Sequence, residues 1–270
     1  MSRKMVFVDT SKCTGCKGCT VACKEWNELP AEKTQLVTSY QSMKDFTPKT
    51  WTYITFTEKY ENQKMNWYMR KAQCFHCAEP ACLKSCSSNA ISKTESGYVV
   101  INQELCIGCG YCVENCPFGV PKLDKTTKKA YKCTGCIDRV ENGRTPSCVM
   151  TCQPGTLEFG ERETLLAQAE KRLIEVQKTH PRARIYGETE MGGTTFVYLL
   201  LDAPEVYGLP TNPQIPLSLT LWKDVIRPVG GIAVGGAAAA VVVGVLGNLL
   251  RGGYREQAQD EKEEQKGGKH

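Results

Sequence analysis

Histidine is nearly absent, with three residues in 270. No Ser-His-Asp candidate can be read in chain order, and no glycine-rich flavin or nicotinamide fingerprint is present, which removes hydrolytic and dinucleotide chemistry together. Charge of one sign is also lacking. Lys and Arg total 34 against 29 Asp and Glu, a net charge of +5 spread along the chain rather than gathered in a stripe. That leaves no electrostatic case for nucleic acid. The opening residues, MSRKMVFVDT, carry no apolar signal-peptide core. A secreted disulfide scaffold, which is normally short, is therefore a poor reading of any cysteine wealth.

Cysteine is what the chain does have. All sixteen fall in the first 152 residues, in four quartets: Cys13, Cys16, Cys19, Cys23; Cys74, Cys77, Cys82, Cys86; Cys106, Cys109, Cys112, Cys116; and Cys133, Cys136, Cys148, Cys152. None is left over. The first and third read C-x2-C-x2-C-x3-C, in which three thiolates on one tight loop reach three corners of a cubane iron-sulfur cluster and the fourth, on the next helix, points to another cluster. Gly15 and Gly18 permit that loop and let amide N–H groups approach the sulfurs. The second quartet stretches the loop to C-x2-C-x4-C-x3-C, and the last to C-x2-C-x11-C-x3-C. Cys116 is followed by Pro117, which turns the chain away after the crossing ligand. Cys23, Cys86 and Cys152 have no proline directly after them. Four zinc ions are the rival, since C-x2-C pairs also build zinc sites, but zinc rarely uses the three-cysteine tripod. Spacing thus favours four [4Fe-4S] clusters in two modules that exchange fourth ligands. Spacing alone leaves two pairings open, neighbour with neighbour or nested. The twenty-residue step from Cys86 to Cys106 suits a compact inner module and favours nesting.

Around the quartets, MVFVD reads as a strand leading into the first loop, and WTYITF (Trp51 to Phe56) and NWYMR (Asn66 to Arg70) as strands of an insert. Trp26, Trp51 and Trp67 are expected in the core. Gly97 to Ile101 reads as a strand, Ile137 to Val140 as a short helix before a turn at Glu141 to Pro146. Glu163 to Gln177 reads as a helix burying Leu165, Leu166, Ala169, Leu173 and Val176. Arg184 to Tyr186 and Thr194 to Leu201 read as strands. His76, inside the second quartet, is expected to pack rather than to tune a cluster. No catalytic residue is found. The chain reads as a carrier of single electrons.

Residues 228–250, PVGGIAVGGAAAAVVVGVLGNLL, hold no charge. As a helix they would extend about 35 Å, enough for a hydrocarbon layer of ~30 Å. Trp222 and Tyr254 stand where interfacial anchors belong. Small residues at Gly231, Gly235, Ala239 and at Gly236, Ala240, Gly244 offer a face to another membrane helix. The expected fold class is α+β: two ferredoxin-like 4Fe-4S modules with inserted β-strands, followed by one C-terminal transmembrane helix. The divisions are a four-cluster region at 1–160 with an insert at about 28–70, an extension at 161–227 packing on a partner or on the cluster region, the membrane helix at 228–250, and a disordered polar tail at 251–270.

The quartets, including CIGCGYCVENCPFGVPKL from Cys106 and YKCTGCIDRV from Tyr131, resemble the four-cluster subunits of molybdopterin oxidoreductases. KDFTPKTWTYITFTE from Lys44, MGGTTFVYLL from Met191 and EVYGLPTNPQIPLSLTLWKDVIRP from Glu205 resemble, within that family, the iron-sulfur beta subunit of membrane-bound formate dehydrogenases. The resemblance implies a nested ligand exchange: Cys13, Cys16, Cys19 with Cys152; Cys133, Cys136, Cys148 with Cys23; Cys74, Cys77, Cys82 with Cys116; and Cys106, Cys109, Cys112 with Cys86. It also implies a catalytic alpha subunit carrying a molybdenum or tungsten bis-pterin, a membrane cytochrome b or other acceptor, and anchorage in the cytoplasmic membrane. The globular part would then lie on the outer, periplasmic side, exported by the partner's twin-arginine signal.

Overall fold

The computed structural model describes residues 3–37, 40–61, 63–221, 223, 242, 243 and 246. The chain divides into two units, Met1–Pro216 and Leu217–His270. In the first, β1 (Lys4–Asp9) leads through a 3-10 turn into α1 (Gly18–Trp26), and a long hairpin follows, β2 (Tyr53–Glu61) and β3 (Lys64–Ala72). Helix α2 (Ala81–Ser85), strands β4 (Ile91–Lys93) and β5 (Val99–Ile101), and helix α3 (Tyr111–Glu114) come next. They are followed by β6 (Lys122–Asp124), β7 (Lys129–Tyr131), α4 (Ile137–Glu141) and α5 (Ser147–Met150). The unit is completed by β8 (Leu157–Glu161), α6 (Arg162–Gln177), β9 (Arg184–Tyr186) and β10 (Phe196–Leu200). The second unit opens with the short helix α7 (Leu217–Thr220).

One four-stranded sheet, in the order β8-β1-β10-β9, organises the first unit. Its central strands β1 and β10 run parallel, with Val6 opposite Phe196 and Val8 opposite Tyr198, and both are buried on two faces. That double burial is why KMVFVD and FVYLL read as continuous apolar runs. Side chains alternate between the faces. Met5, Phe7, Val197 and Leu199 meet Leu165, Ala169 and Val176 of α6, while Val6, Val8, Phe196, Tyr198 and Leu200 pack with Phe75, Tyr98, Cys19, Cys77 and Cys148. The sheet is thus a floor, helix below and cysteine loops above. Leu199→Ala removes a fully buried side chain from the helix-side layer, and the expected cost is about 2–5 kcal/mol. A lowered denaturation midpoint reads this out; an unchanged one would mean that α6 does not support the sheet.

Residues 161–216 belong to the same unit, because β10 lies hydrogen-bonded between β1 and β9. The amphipathic helix runs from Arg162 with Leu165, Ala169 and Val176 buried, as its spacing predicts. The insert is the β2–β3 hairpin, paired from Tyr53–Ala72 to Glu61–Lys64. The core placement of the tryptophans is corrected. Trp26 and Trp67 are exposed, and Trp51 is half-buried with its Nε1 donating to Pro48 O at 2.7 Å. Trp26 instead covers a cation, with the Arg139 guanidinium 4.2 Å from its ring centre and its Nε1 donating to Asp138 at 2.8 Å. Among the described residues no helix is long and apolar enough to cross a membrane. The predicted span at 228–250, with Trp222, Tyr254 and the tail, lies outside the described residues apart from Val242, Val243 and Leu246.

Candidate functional site

The cysteine loops lie above the sheet, and the fourth member of each quartet leaves its own loop. Cys23 lines one cavity with Cys133, Cys136 and Cys148. Cys116 lines a second with Cys74, Cys77 and Cys82, and Cys86 a third with Cys106, Cys109 and Cys112. The three spaces are similar in size. Cys152 approaches the remaining three, since the Cys13 thiol senses the charges of Cys19, Cys152 and Cys16. The arrangement follows from short helices. α1 presents Cys19 near its start and Cys23 one turn later, and α5, packed against α1, carries Cys148 with Cys152 just past its end. That second helix begins at the last residue of the eleven-residue spacer, directly after the stretch Glu141 to Pro146 expected to turn.

The four groups adjoin in a fixed succession when numbered by their members: Cys13, Cys16, Cys19 and Cys152 as the first, Cys23 with Cys133, Cys136 and Cys148 as the second, Cys116 with Cys74, Cys77 and Cys82 as the third, and Cys86 with Cys106, Cys109 and Cys112 as the fourth. Cys148 senses Cys19 of the first group, Cys133 senses Cys74 of the third, and Cys82 senses Cys112 of the fourth. The order is therefore first, second, third, fourth. Cys16 in the first group and Cys109 in the fourth are exposed, while every member of the second is buried.

Burial dominates the thiol chemistry. It pushes Cys13 up to about 11 against the Gly15 N–H, Cys112 up to about 11, and Cys23, Cys82 and Cys148 up to about 12. Four thiolates in such a space repel one another, so they demand a cationic core between them. Cys86 goes the other way: burial raises it, but the Ser88 hydroxyl and the N–H groups of Ile91, Ala90 and Ser88 outweigh burial and lower it. Further donors reach the sulfurs directly. The Gly135 N–H donates to Cys133 Sγ at 3.3 Å and the Ala130 N–H to Cys106 Sγ at 3.5 Å, while Ser147 Oγ lies 3.4 Å from Cys136 Sγ.

Two orphaned groups test what these spaces fit. His76 is fully buried in the wall of the third group's cavity; its Nδ1 accepts the Val99 N–H at 3.0 Å, which leaves the proton on Nε2, and Nε2 has no partner. Burial first, and then Lys132, hold this imidazole well below its usual range, so it is neutral. The Tyr98 hydroxyl, also buried and unpartnered, feels the charges of Cys133, Cys148 and Cys136. Buried donors without acceptors fit a group that brings its own acceptors, as the inorganic sulfides of a cluster do. Among the described residues no three His, Cys, Asp or Glu side chains converge on one metal ion. A zinc ion needs four sulfurs at about 2.3 Å from a single point, whereas a cubane takes each sulfur at a different iron. The residues fit the cubane.

Two buried lysines escaped the sequence reading. Lys71 lines the second group's cavity and Lys132 the third's. Lys71 lies in KMNWYMRKA, whose polar residues look exposed; Lys132 carries a weak signal, standing directly before Cys133.

Comparison with known proteins agrees with this geometry. Residues 12–90 and residues 65–162 each match a 4Fe-4S dicluster domain family. The formate dehydrogenase iron-sulfur subunit of Haemophilus influenzae is 43% identical over 246 residues, covering 89% of this chain and 79% of that protein. The iron-sulfur subunit of the nitrate-inducible formate dehydrogenase of Escherichia coli is 39% identical over 263 residues, 96% of this chain and 88% of that protein. A formate dehydrogenase 2 subunit beta (cytochrome c-553) of Nitratidesulfovibrio vulgaris is 34% identical over 213 residues, 76% of this chain and 96% of its own length. Matches of this extent, joined to loops that carry sixteen cysteines within 4Fe-4S dicluster domains, place the chain among the formate dehydrogenase iron-sulfur subunits.

Proposed function

We propose that the chain is the electron-transfer subunit of a formate dehydrogenase complex, relaying electrons from a molybdenum or tungsten bis-pterin catalytic subunit toward a membrane cytochrome b or another acceptor. It would hold four [4Fe-4S] clusters, each built from three cysteines of one quartet and the fourth of another: Cys13, Cys16, Cys19 and Cys152; Cys133, Cys136, Cys148 and Cys23; Cys74, Cys77, Cys82 and Cys116; Cys106, Cys109, Cys112 and Cys86. The observation that carries this reading is the crossing of Cys23, Cys86 and Cys116 into cavities lined by other quartets. When bound, such a cluster supplies a reversible one-electron centre.

The chain's own residues do the rest. Buried thiols and the sheet floor exclude water, and amide donors to Cys133 and Cys106 offset the negative charge that the sites must hold. The exposed Cys16 and Cys109 put the first and fourth groups at the surface, where a donor and an acceptor can approach. In this reading the subunit carries electrons and the partner performs the chemistry on formate. Residues 228–250 would anchor it in the cytoplasmic membrane with the cluster region on the outer side; flotation with membranes, abolished by deleting these residues, would support that placement.

The isolated complex is expected to contain roughly sixteen iron atoms and as many acid-labile sulfides in this subunit. Formate should bleach its visible absorption. A zinc-loaded chain without sulfide would overturn the cluster reading, and a complex bleached by hydrogen but not by formate would assign the same subunit to a different catalytic partner.

A further inference from the structure

Lys71 and Lys132 are buried, yet among the described residues neither ammonium has a carboxylate within ion-pair distance. Lys71 Nζ donates to the Gln73 side-chain oxygen, and Lys132 Nζ to the carbonyls of Val99 and, at 3.0 Å, Cys133. These are neutral acceptors. A buried charge satisfied only by neutral oxygens costs several kcal/mol, so such a lysine needs a counter-charge.

The thiols supply it, and in a particular pattern. Lys71 faces Cys148, Cys133 and Cys23 of the second group and Cys19 of the first. Lys132 faces Cys74, Cys82 and Cys116 of the third group and Cys133 of the second. Each lysine therefore stands where two adjacent groups meet. Among the described residues no lysine lines the cavity of the fourth group; the half-buried Lys129 donates to Cys106 O at 2.6 Å from outside that lining.

We propose that Lys71 and Lys132 are the shared counter-cations of adjacent clusters, Lys71 for the first and second and Lys132 for the second and third, and that they raise the reduction potentials of these clusters relative to the fourth. A cluster ligated by four thiolates gains negative charge on reduction. A fixed cation in a low-dielectric interior stabilises that reduced form more than the oxidised one. The second cluster, flanked by both lysines, receives the largest effect. The hydrogen bonds to Gln73, Val99 and Cys133 fix where each charge sits.

The inference rests on the four-cluster reading, and one preparation tests both separately. Formate dehydrogenase complexes carrying Lys71→Gln or Lys132→Gln are assayed for iron and sulfide, then titrated potentiometrically with detection by electron paramagnetic resonance. Iron and sulfide content reports the cluster reading; midpoint potentials report the lysines. Lys71→Gln should lower the midpoints of the first and second clusters and leave the fourth in place. Lys132→Gln should lower those of the second and third. Lys71→Arg and Lys132→Arg, which keep the charge, should stay near the parent midpoints. Unshifted midpoints at full iron content, or an equal shift of all four, overturn the proposal. Where a glutamine variant loses its cluster, the arginine variant decides: a cluster retained at the parent potential supports the role of charge, and a cluster lost there too overturns it.

Discussion

Cys152→Ala is expected to strip or reshape the cluster held by Cys13, Cys16 and Cys19, leaving the one held by Cys133 and Cys136 intact, although Cys152 belongs to the latter pair's stretch of sequence. The thiols of Cys13 and Cys19 both sense Cys152, whereas the Cys133, Cys136 and Cys148 cavity is closed by Cys23 instead. The turn after α5 makes this possible. Its N–H at Cys152 bonds Val149 O at 3.0 Å, and the Gly155 N–H bonds Cys152 O at 3.1 Å, which holds the thiol past the helix end toward α1. Iron content should fall by at most about a quarter, because one cubane of four is touched. Paramagnetic resonance of the reduced protein should lose or alter one signal. Cys23→Ala is the reciprocal variant and should spare the N-terminal cluster. If Cys152→Ala removes the Cys133–Cys136 cluster and leaves the N-terminal one, the crossed arrangement is wrong.

The candidate ligands were legible in the sequence because a cubane loop is local: three cysteines within seven residues at Cys13 to Cys19 form a tripod. Which loop a fourth cysteine joins is a tertiary fact. Spacing left two pairings open, and the family resemblance implied the nested one; Cys23, Cys86 and Cys116 line cavities with cysteines of other quartets. Strands β1 and β10 could be read because they are buried on both faces; β6 and β7, in KLDKTTKKAY, could not, since a short, mostly half-buried hairpin rich in charged residues carries no apolar alternation. The same habit of reading charge as surface hid Lys71 and Lys132. It hid Arg70 as well, which is buried and donates to Tyr207 O at 3.3 Å. Tryptophan misled in the opposite sense. Trp26 and Trp67 lie at the surface, where a large ring covers charged neighbours or joins Tyr40, whose ring centre is 5.3 Å from that of Trp67.

Gly135→Ala should be among the most damaging single-methyl changes in the cluster region. Gly135 has φ +71°, a left-handed conformation that costs an ordinary residue about 1–2 kcal/mol. Its added Cβ would also overlap the Tyr98 ring at Cδ1 and Cε1, well inside van der Waals contact. Tyr98 cannot step aside: it is fully buried, with the His76 ring centre 5.2 Å away in a T-shaped contact. Overpacking of this kind adds about 1–3 kcal/mol, so the sum is about 2–5 kcal/mol, a large share of a domain's stability. The strain falls on a ligand, because the Gly135 N–H that bonds Cys133 Sγ must move with the backbone. The expected result is a lowered denaturation midpoint with loss of the second cluster's signal. Gly143→Ala is the control: its φ is +69°, but nothing lies within 4 Å of the new methyl, so only the conformational cost remains. Measured against Tyr98→Leu alone, which carries its own cavity cost, adding Gly135→Ala should cost only about as much as Gly143→Ala does in the parent. A single Gly135→Ala variant with unchanged midpoint and a full set of clusters would show that this loop gives way to the ring, and that the close approach of Tyr98 does not hold the Cys133 thiol in place.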